Sequence, residues 1–161
     1  NEPAVRANMY TQHEISPEEH LNWWGKTKVR TDQKYFMYEM AGAPIGIAAF
    51  TGIDIQSRNS AWAFYASPSA PKGTGSKMEF LMLEHAFNEL QLHKLYCEVL
   101  AFNASVIKLH QKFGFNVEGV FRQQHKVNDD FVDIYRLGIL ASEWQEHRQS
   151  MHEKLIAQTR T

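Results

Sequence analysis

The sequence predicts an α/β domain in which a mixed, mostly antiparallel sheet is flanked by helices, and three stretches carry that expectation. First, strand patterns over residues 33–40 and 45–55 are joined by Ala41-Gly42-Ala43-Pro44, and Ser57-Arg58-Asn59 turns the chain into a third over residues 61–67, an antiparallel meander. Second, the loop Pro71-Lys72-Gly73-Thr74-Gly75-Ser76 links that strand to a long apolar-rich segment over residues 78–92. Third, residues 94–100 alternate with period two, Leu95, Cys97 and Val99 against Tyr96 and Glu98, and lead into a helix that Asn103 opens.

The elements follow in order. Residues 3–10 are expected as a short helix. Ser16-Pro17-Glu18-Glu19 joins a capping box to a proline at the first helical position, so a helix is expected over residues 17–28. After the meander and the 78–92 helix, Asn103 offers its side-chain oxygen as N-cap to a helix that closes at Gly114, the residue best suited to a left-handed C-terminal turn. Val106, His110 and Phe113 share one face of it, so His110 points with the apolar side. Residues 117–127 and 131–140 are strands around the turn Asn128-Asp129-Asp130, and Ser142 is placed to cap a last helix to about residue 158. Trp144, Met151, Leu155 and Ile156 are its only sizeable apolar residues, so it is expected to be solvated or an oligomer contact, as in a homodimer.

With 161 residues, 43% hydrophobic and 12% aromatic, the chain can bury the core of one domain, taken as residues 1–161. A formal net charge of −1 supplies no bulk attraction to nucleic acid or anionic membrane, and neither is expected as a partner. No apolar run reaches the roughly 18 residues needed to span a bilayer. Cys97 is the only cysteine, so it forms no intramolecular disulfide. The eight histidines show no paired spacing that converges on one helical face, and no metal is expected.

A strand, a glycine loop and a helix start make an anion site, because glycines let backbone N–H groups approach a phosphate and the helix adds the positive end of its dipole. The loop lacks the G-x-x-x-x-G-K-[ST] of a P-loop, and Met78 stands where a dinucleotide fold needs its third glycine.

Together the loop and the helix at Asn103 resemble the GNAT acetyltransferase superfamily. Its pyrophosphate loop, R/Q-x-x-G-x-G/A, is matched by Gly73 and Gly75, with Ala70 at the Arg/Gln position and Lys72 as a compensating cation. Its later N-x-x-[SA]-…-L-Y-x-x-x-G-F segment is matched by Asn103, Leu109, Gly114 and Phe115, with His110 in place of the frequent tyrosine. Within the superfamily, Met9-Tyr10-Thr11-Gln12-His13-Glu14-Ile15-Ser16, Glu19-His20 and Trp23-Trp24 are similar to the N-terminal region of the amino-sugar N-acetyltransferases of the pseudaminic acid pathway, over about residues 5–144. The resemblance implies the GNAT fold, acetyl-CoA as co-substrate, a cytoplasmic setting, and as acceptor the 4-amine of UDP-4-amino-4,6-dideoxy-N-acetyl-β-L-altrosamine. It also implies a strand before residue 1, so the chain is expected to be truncated or processed there.

Acetyl transfer to an amine needs an unprotonated nucleophile, a polarised thioester carbonyl and a proton for the departing thiolate. Glu98 stands five residues before Asn103, where similar enzymes carry a general base, and partial desolvation on an interior strand would make it a better one. The competing reading is a carboxylate tying down a neighbouring lysine or amide. His110 stands where family members protonate the thiolate, and the competing reading is a hydrogen-bonded core histidine. By resemblance, a backbone N–H near Tyr65 or Ala66 meets the carbonyl oxygen, and Lys72, Gly73, Thr74, Gly75, Ser76 and Asn103 hold the coenzyme. Arg6, His13, His20 and Trp23 belong to the acceptor side, where a nucleotide-sugar needs cations and flat surfaces, although a Trp pair on a helix is also a common core feature. Two alternatives stay open: an acetyltransferase for a protein N-terminus or small amine, and a non-catalytic acyl-CoA-binding module.

Overall fold

A computed structural model describes residues 3–7, 9–10 and 13–159. The N-terminal helix α1 is a single turn, Pro3–Arg6, shorter than the expected 3–10, of which Asn8 lies outside the described residues. Helix α2, Pro17–Thr27, starts on the capping box: Ser16 Oγ accepts from the Glu19 N–H at 3.1 Å and Glu19 Oε2 accepts from the Ser16 N–H at 3.4 Å. Strands β1 (Gln33–Met40), β2 (Ala43–Asp54) and β3 (Asn59–Ala66) form the antiparallel meander. Helix α3, Thr74–Glu84, opens earlier than expected and continues as a wider π-helical turn over His85–Glu89. Next come β4 (Lys94–Leu100), α4 (Ala104–Lys112), β5 (Asn116–Val127), β6 (Asp130–Leu140) and α5 (Ala141–Thr159).

The strands lie in the order β1-β2-β3-β4-β6-β5, antiparallel everywhere except between β3 and β4. The result is the mixed, mostly antiparallel sheet flanked by helices that the sequence predicts. The alternation of β4 has the effect its pattern requires: Leu95, Cys97 and Val99 are buried while Glu98 is exposed. They meet Met78, Met82, Leu83, Ala86 and Phe87 of α3 and its π turn, Phe113 and Phe115 after α4, and Ile139 of β6 in one core cluster. Each such side chain withdrawn from water contributes roughly 1.5–3 kcal/mol before the entropy of ordering is set against it.

Helix α5 departs from expectation. Trp144 is fully buried and Met151 nearly so, and the Trp144 Nε1–H donates to Glu84 Oε1 at 3.0 Å. Arg148 grips the same carboxylate through two bonds of 2.7 Å, which ties α5 to α3. Residues seven apart in a helix return to one face, so two widely spaced apolar residues suffice for docking. Ser142 lies inside the first turn of α5, and Glu143 Oε2 instead accepts from the Leu140 N–H at 2.8 Å.

Candidate active site

Strands β3 and β4 pair only at their starts, Asn59 to Ala61 against Lys94 to Tyr96. Further on, β3 stays with β2, Ala66 facing Gly46, while β4 stays with β6, Leu100 facing Ile134. The sheet therefore opens into a cleft. A cavity of about 590 Å³ occupies it, walled by residues 62–66 of β3, residues 97–100 of β4, and Asn103, Val106 and His110 of α4. Trp62, Phe64, Val99, Leu100 and Val106 make most of that wall apolar, which suits a thin, chain-like ligand.

The parity of the β2–β3 ladder decides which amides face the cleft. The Ser67 N–H donates to the Ile45 carbonyl at 2.8 Å, so alternation turns the Tyr65 and Ala63 amides toward β2 as well. The Phe64 and Ala66 N–H groups then point into the opening. Of the two expected positions, Ala66 offers its amide there, whereas Tyr65 contributes its side chain to the wall.

Gly73 precedes α3 with φ +89°, a left-handed conformation in which a side chain would be strained. At Gly75 a Cβ would stand 3.3 Å from the Phe64 ring and 3.4 Å from Leu109, so glycine lets the first turn of α3 lie close against the cleft wall. The Thr74 N–H and Oγ1–H both donate to the Pro71 carbonyl, at 3.1 and 2.7 Å, and the Lys77 N–H returns to Gly73. Thr74 is thereby committed to shaping the loop, and the first-turn amides of Gly75 and Ser76 are those left for an anion. Lys72 is exposed on the same loop. Asn103 corrects another expectation: with φ −86° and ψ 51° its side chain makes no capping bond, and only its carbonyl enters the helix, accepting from Val106 and Ile107. Asn103 lines the cavity instead.

Glu98 lines this cavity and also a second one of about 410 Å³, whose walls are Tyr10, Phe121, Gln124, His125 and Ile134. The two meet at Tyr10 and Glu98. The Tyr10 hydroxyl donates to Glu98 Oε2 at 3.2 Å, and burial, then the neighbouring carboxylate, pushes its pKa up to about 12. Arg136, directly opposite Glu98 on β6, donates to Oε1 at 2.9 Å and lies 3.5 Å over the Tyr96 ring. Glu98 projects from the sheet face opposite the core, its side chain one-third exposed (33%) and held as an ion pair with Arg136.

His110 is 3% exposed and still reaches the first cavity. Its Nδ1 is 2.8 Å from Oε1 of Glu79, a fully buried acid on α3. Burial alone would lower the imidazole pKa, but the Glu79 carboxylate and hydrogen bonding with Cys97 overcome it and raise the value above the ordinary one. Glu79 was missed in the sequence. It sits among Met78, Met82, Leu83 and Ala86 on the core side of α3, and an acid in such a stripe calls for a buried partner.

The expected acceptor residues are not gathered at either cavity. His13 pairs with Glu19 at 3.0 Å in an exposed position, His20 packs on Trp23, and Trp23 meets the edge strand residue Tyr35. The capping box starts α2 directly after His13 and sets His20 and Trp23 one turn apart over β1. Arg6 is half-buried on α1 and lines neither cavity. From the N-terminal segment, Met9 and Tyr10 line the cleft. Among the described residues, no three His, Cys, Asp or Glu side chains cluster as a metal site requires, and no helix is long and apolar enough to cross a membrane.

A split sheet over an apolar channel, with a helix N-terminus beside it, is the frame of an acyl-CoA-dependent transferase. The chain belongs to the GNAT acetyltransferases, the acetyltransferase (GNAT) domain matching residues 4–135, and it is an N-acetyltransferase with acetyl-CoA as co-substrate. It is 24% identical over 128 residues to the spermidine N(1)-acetyltransferase of Escherichia coli K12, covering 79% of this chain and 69% of that one. It is 28% identical over 117 residues to the acetyltransferase PseH of Campylobacter jejuni, covering 73% and 72%. The spermidine N-acetyltransferase of Vibrio cholerae, solved with CoA and spermine, superposes with a TM-score of 0.84 at 22% identity over 90% of this chain and 87% of that one.

Proposed function

We propose that this enzyme moves acetyl directly from acetyl-CoA to the 4-amine of a UDP-linked 4-amino-4,6-dideoxy sugar. The carrying observation is the meeting of two cavities at Glu98. The first takes the pantetheine arm and the second the acceptor. Glu98 receives the ammonium proton, through water, and the free amine attacks the thioester carbon while the Ala66 N–H meets the carbonyl oxygen. The coenzyme A thiolate leaves with a proton from His110, with the Gly75 and Ser76 amides and Lys72 beside the diphosphate.

The acceptor cavity supports a ring rather than a polycation. Tyr10, Phe121 and His125 offer flat faces and Gln124 an amide, while Glu98, among the described residues the one carboxylate lining either cavity, is already paired with Arg136. A polyamine has several ammonium groups, each needing a counter-charge when desolvated. The name of the Escherichia coli relative favours polyamines as the second reading. Kinetics with acetyl-CoA and three acceptors decide between them: the UDP-4-amino sugar, spermidine and a peptide with a free N-terminus. The sugar is expected to lead in kcat/KM by at least roughly 100-fold, about 2.7 kcal/mol of transition-state discrimination; equal or faster turnover of spermidine contradicts the assignment.

A further inference from the structure

Beside the acetyl-CoA channel lies a thiol that direct transfer does not use. Cys97 is the only cysteine of the chain, 4% exposed, and it lines the cleft together with His110. It does not stand alone. It lines the same cavity as the His110 imidazole, whose Nδ1 is held by Glu79 Oε1 at 2.8 Å, leaving Nε2 for the cavity side. The other oxygen, Glu79 Oε2, is buried with no hydrogen-bond partner among the described residues, so the carboxylate is spent on the imidazole. The three residues come from α3, α4 and β4: carboxylate, imidazole and thiol in sequence, with the thiol facing the space a thioester must enter.

We propose that Cys97 accepts the acetyl group of bound acetyl-CoA as a thioester on its own Sγ. The proposal rests on the cleft being the acetyl-CoA channel. An imidazole oriented by a carboxylate can hand its proton to a departing sulfur and take the attacking thiol's proton in its place. The Cys97 Sγ–carbon bond forms as the carbon–sulfur bond of acetyl-CoA breaks, and the proton held by His110 goes to the departing coenzyme A sulfur while the thiol proton replaces it on His110. One thioester is exchanged for another, so atoms and electrons balance with no oxidant or further reactant. In the absence of an amine, the enzyme carries an acetyl group in the channel.

Purified protein is incubated with acetyl-CoA and no amine, quenched in acid and weighed by mass spectrometry. The expected result is one acetyl group on the peptide containing Cys97, removed by neutral hydroxylamine, and none in Cys97→Ala. Glu79→Gln is expected to slow its formation roughly 100-fold, whereas a thiol that reacts merely by proximity keeps its rate. Calorimetric titration with CoA accompanies each protein and separates the possible failures. Wild-type protein that binds CoA but gains no acetyl group overturns the proposal, as does an acetyl group that persists in Cys97→Ala. Folded wild-type protein that gives no heat with CoA overturns the channel reading and this proposal with it. If both cysteine variants, Cys97→Ala and Cys97→Ser, lose CoA binding, iodoacetamide labelling of the wild type replaces them: protection of Cys97 by prior acetylation supports the thioester, and undiminished labelling contradicts it.

Discussion

Replacing His110 with phenylalanine is expected to cost about 3–5 kcal/mol of stability, read as a lowered urea midpoint, because it strips a buried carboxylate of its counter-charge. The Glu79 side chain has no exposure to water and, among the described residues, one hydrogen-bond partner, Nδ1 of His110. Against a total stability of about 5–15 kcal/mol, that loss is a large share. The double variant Glu79→Leu/His110→Phe is expected to regain most of it, since an apolar pair needs no desolvation of charge. Failure of the double variant to recover would mean that shape, not charge, is what the pair supplies.

The same pair sets a pH dependence. The folded pKa of His110 is pushed up to about 10 by Glu79 and Cys97 against the effect of burial. A raised imidazole pKa means that folded protein holds a proton the unfolded chain gives up near 6.5. The stabilisation is complete below that value and fades as pH climbs toward 10. Wild-type Tm is therefore expected to fall across this window more steeply than that of the double variant. Parallel curves would show that the proton is not held by this pair. For the reaction, the raised value keeps His110 able to donate at neutral pH, and full turnover of His110→Phe with an unaltered pH profile would remove it as the acid.

The second large effect is on chemistry. Glu98→Gln is expected to lower kcat by roughly 100- to 10,000-fold, the range over which positioned acid–base groups act, with the KM for acetyl-CoA little changed. Its stability effect should be small, because the ion pair with Arg136 is partly exposed and such pairs contribute about 0–1 kcal/mol. If Glu98 served only to hold Arg136 over Tyr96, glutamine would raise the acceptor KM and leave kcat intact. Steady-state kinetics with the acceptor varied at saturating acetyl-CoA separates the two.

Local features were readable because their causes are local. The reciprocal bonds of Ser16 and Glu19, the alternation of β4 and the left-handed turn at Gly114 follow from neighbours within a few residues. Distant contacts were not. Whether β3 and β4 part depends on each being held by its other neighbour, β2 and β6, and no pattern within either strand reports that. The same holds for the Glu79–His110 pair, which joins residues on two helices. A bulge in β5 between Phe121 and His125, with Gln123 at φ +52° and its N–H donating to Asp133 Oδ1 at 2.7 Å, places Gln124 and His125 on the second cavity. His13, His20 and Trp23 show the converse: residue types suited to a nucleotide-sugar, of which His13 pairs with Glu19 in an exposed position and His20 and Trp23 pack over the sheet edge. Asn103 also misled, since an asparagine before a helix caps it only when its backbone is extended, and here it is not.

The central claim is that acetyl-CoA threads the cleft between β3 and β4 and presents its thioester to Glu98 and His110. A crystal structure with CoA bound tests it most directly. The expected result is a diphosphate on the Gly75 and Ser76 amides and a sulfur about 3–4 Å from the His110 imidazole, given the longer reach of sulfur contacts. CoA lying elsewhere with the cleft empty, or its sulfur far from both His110 and Glu98, would contradict the account.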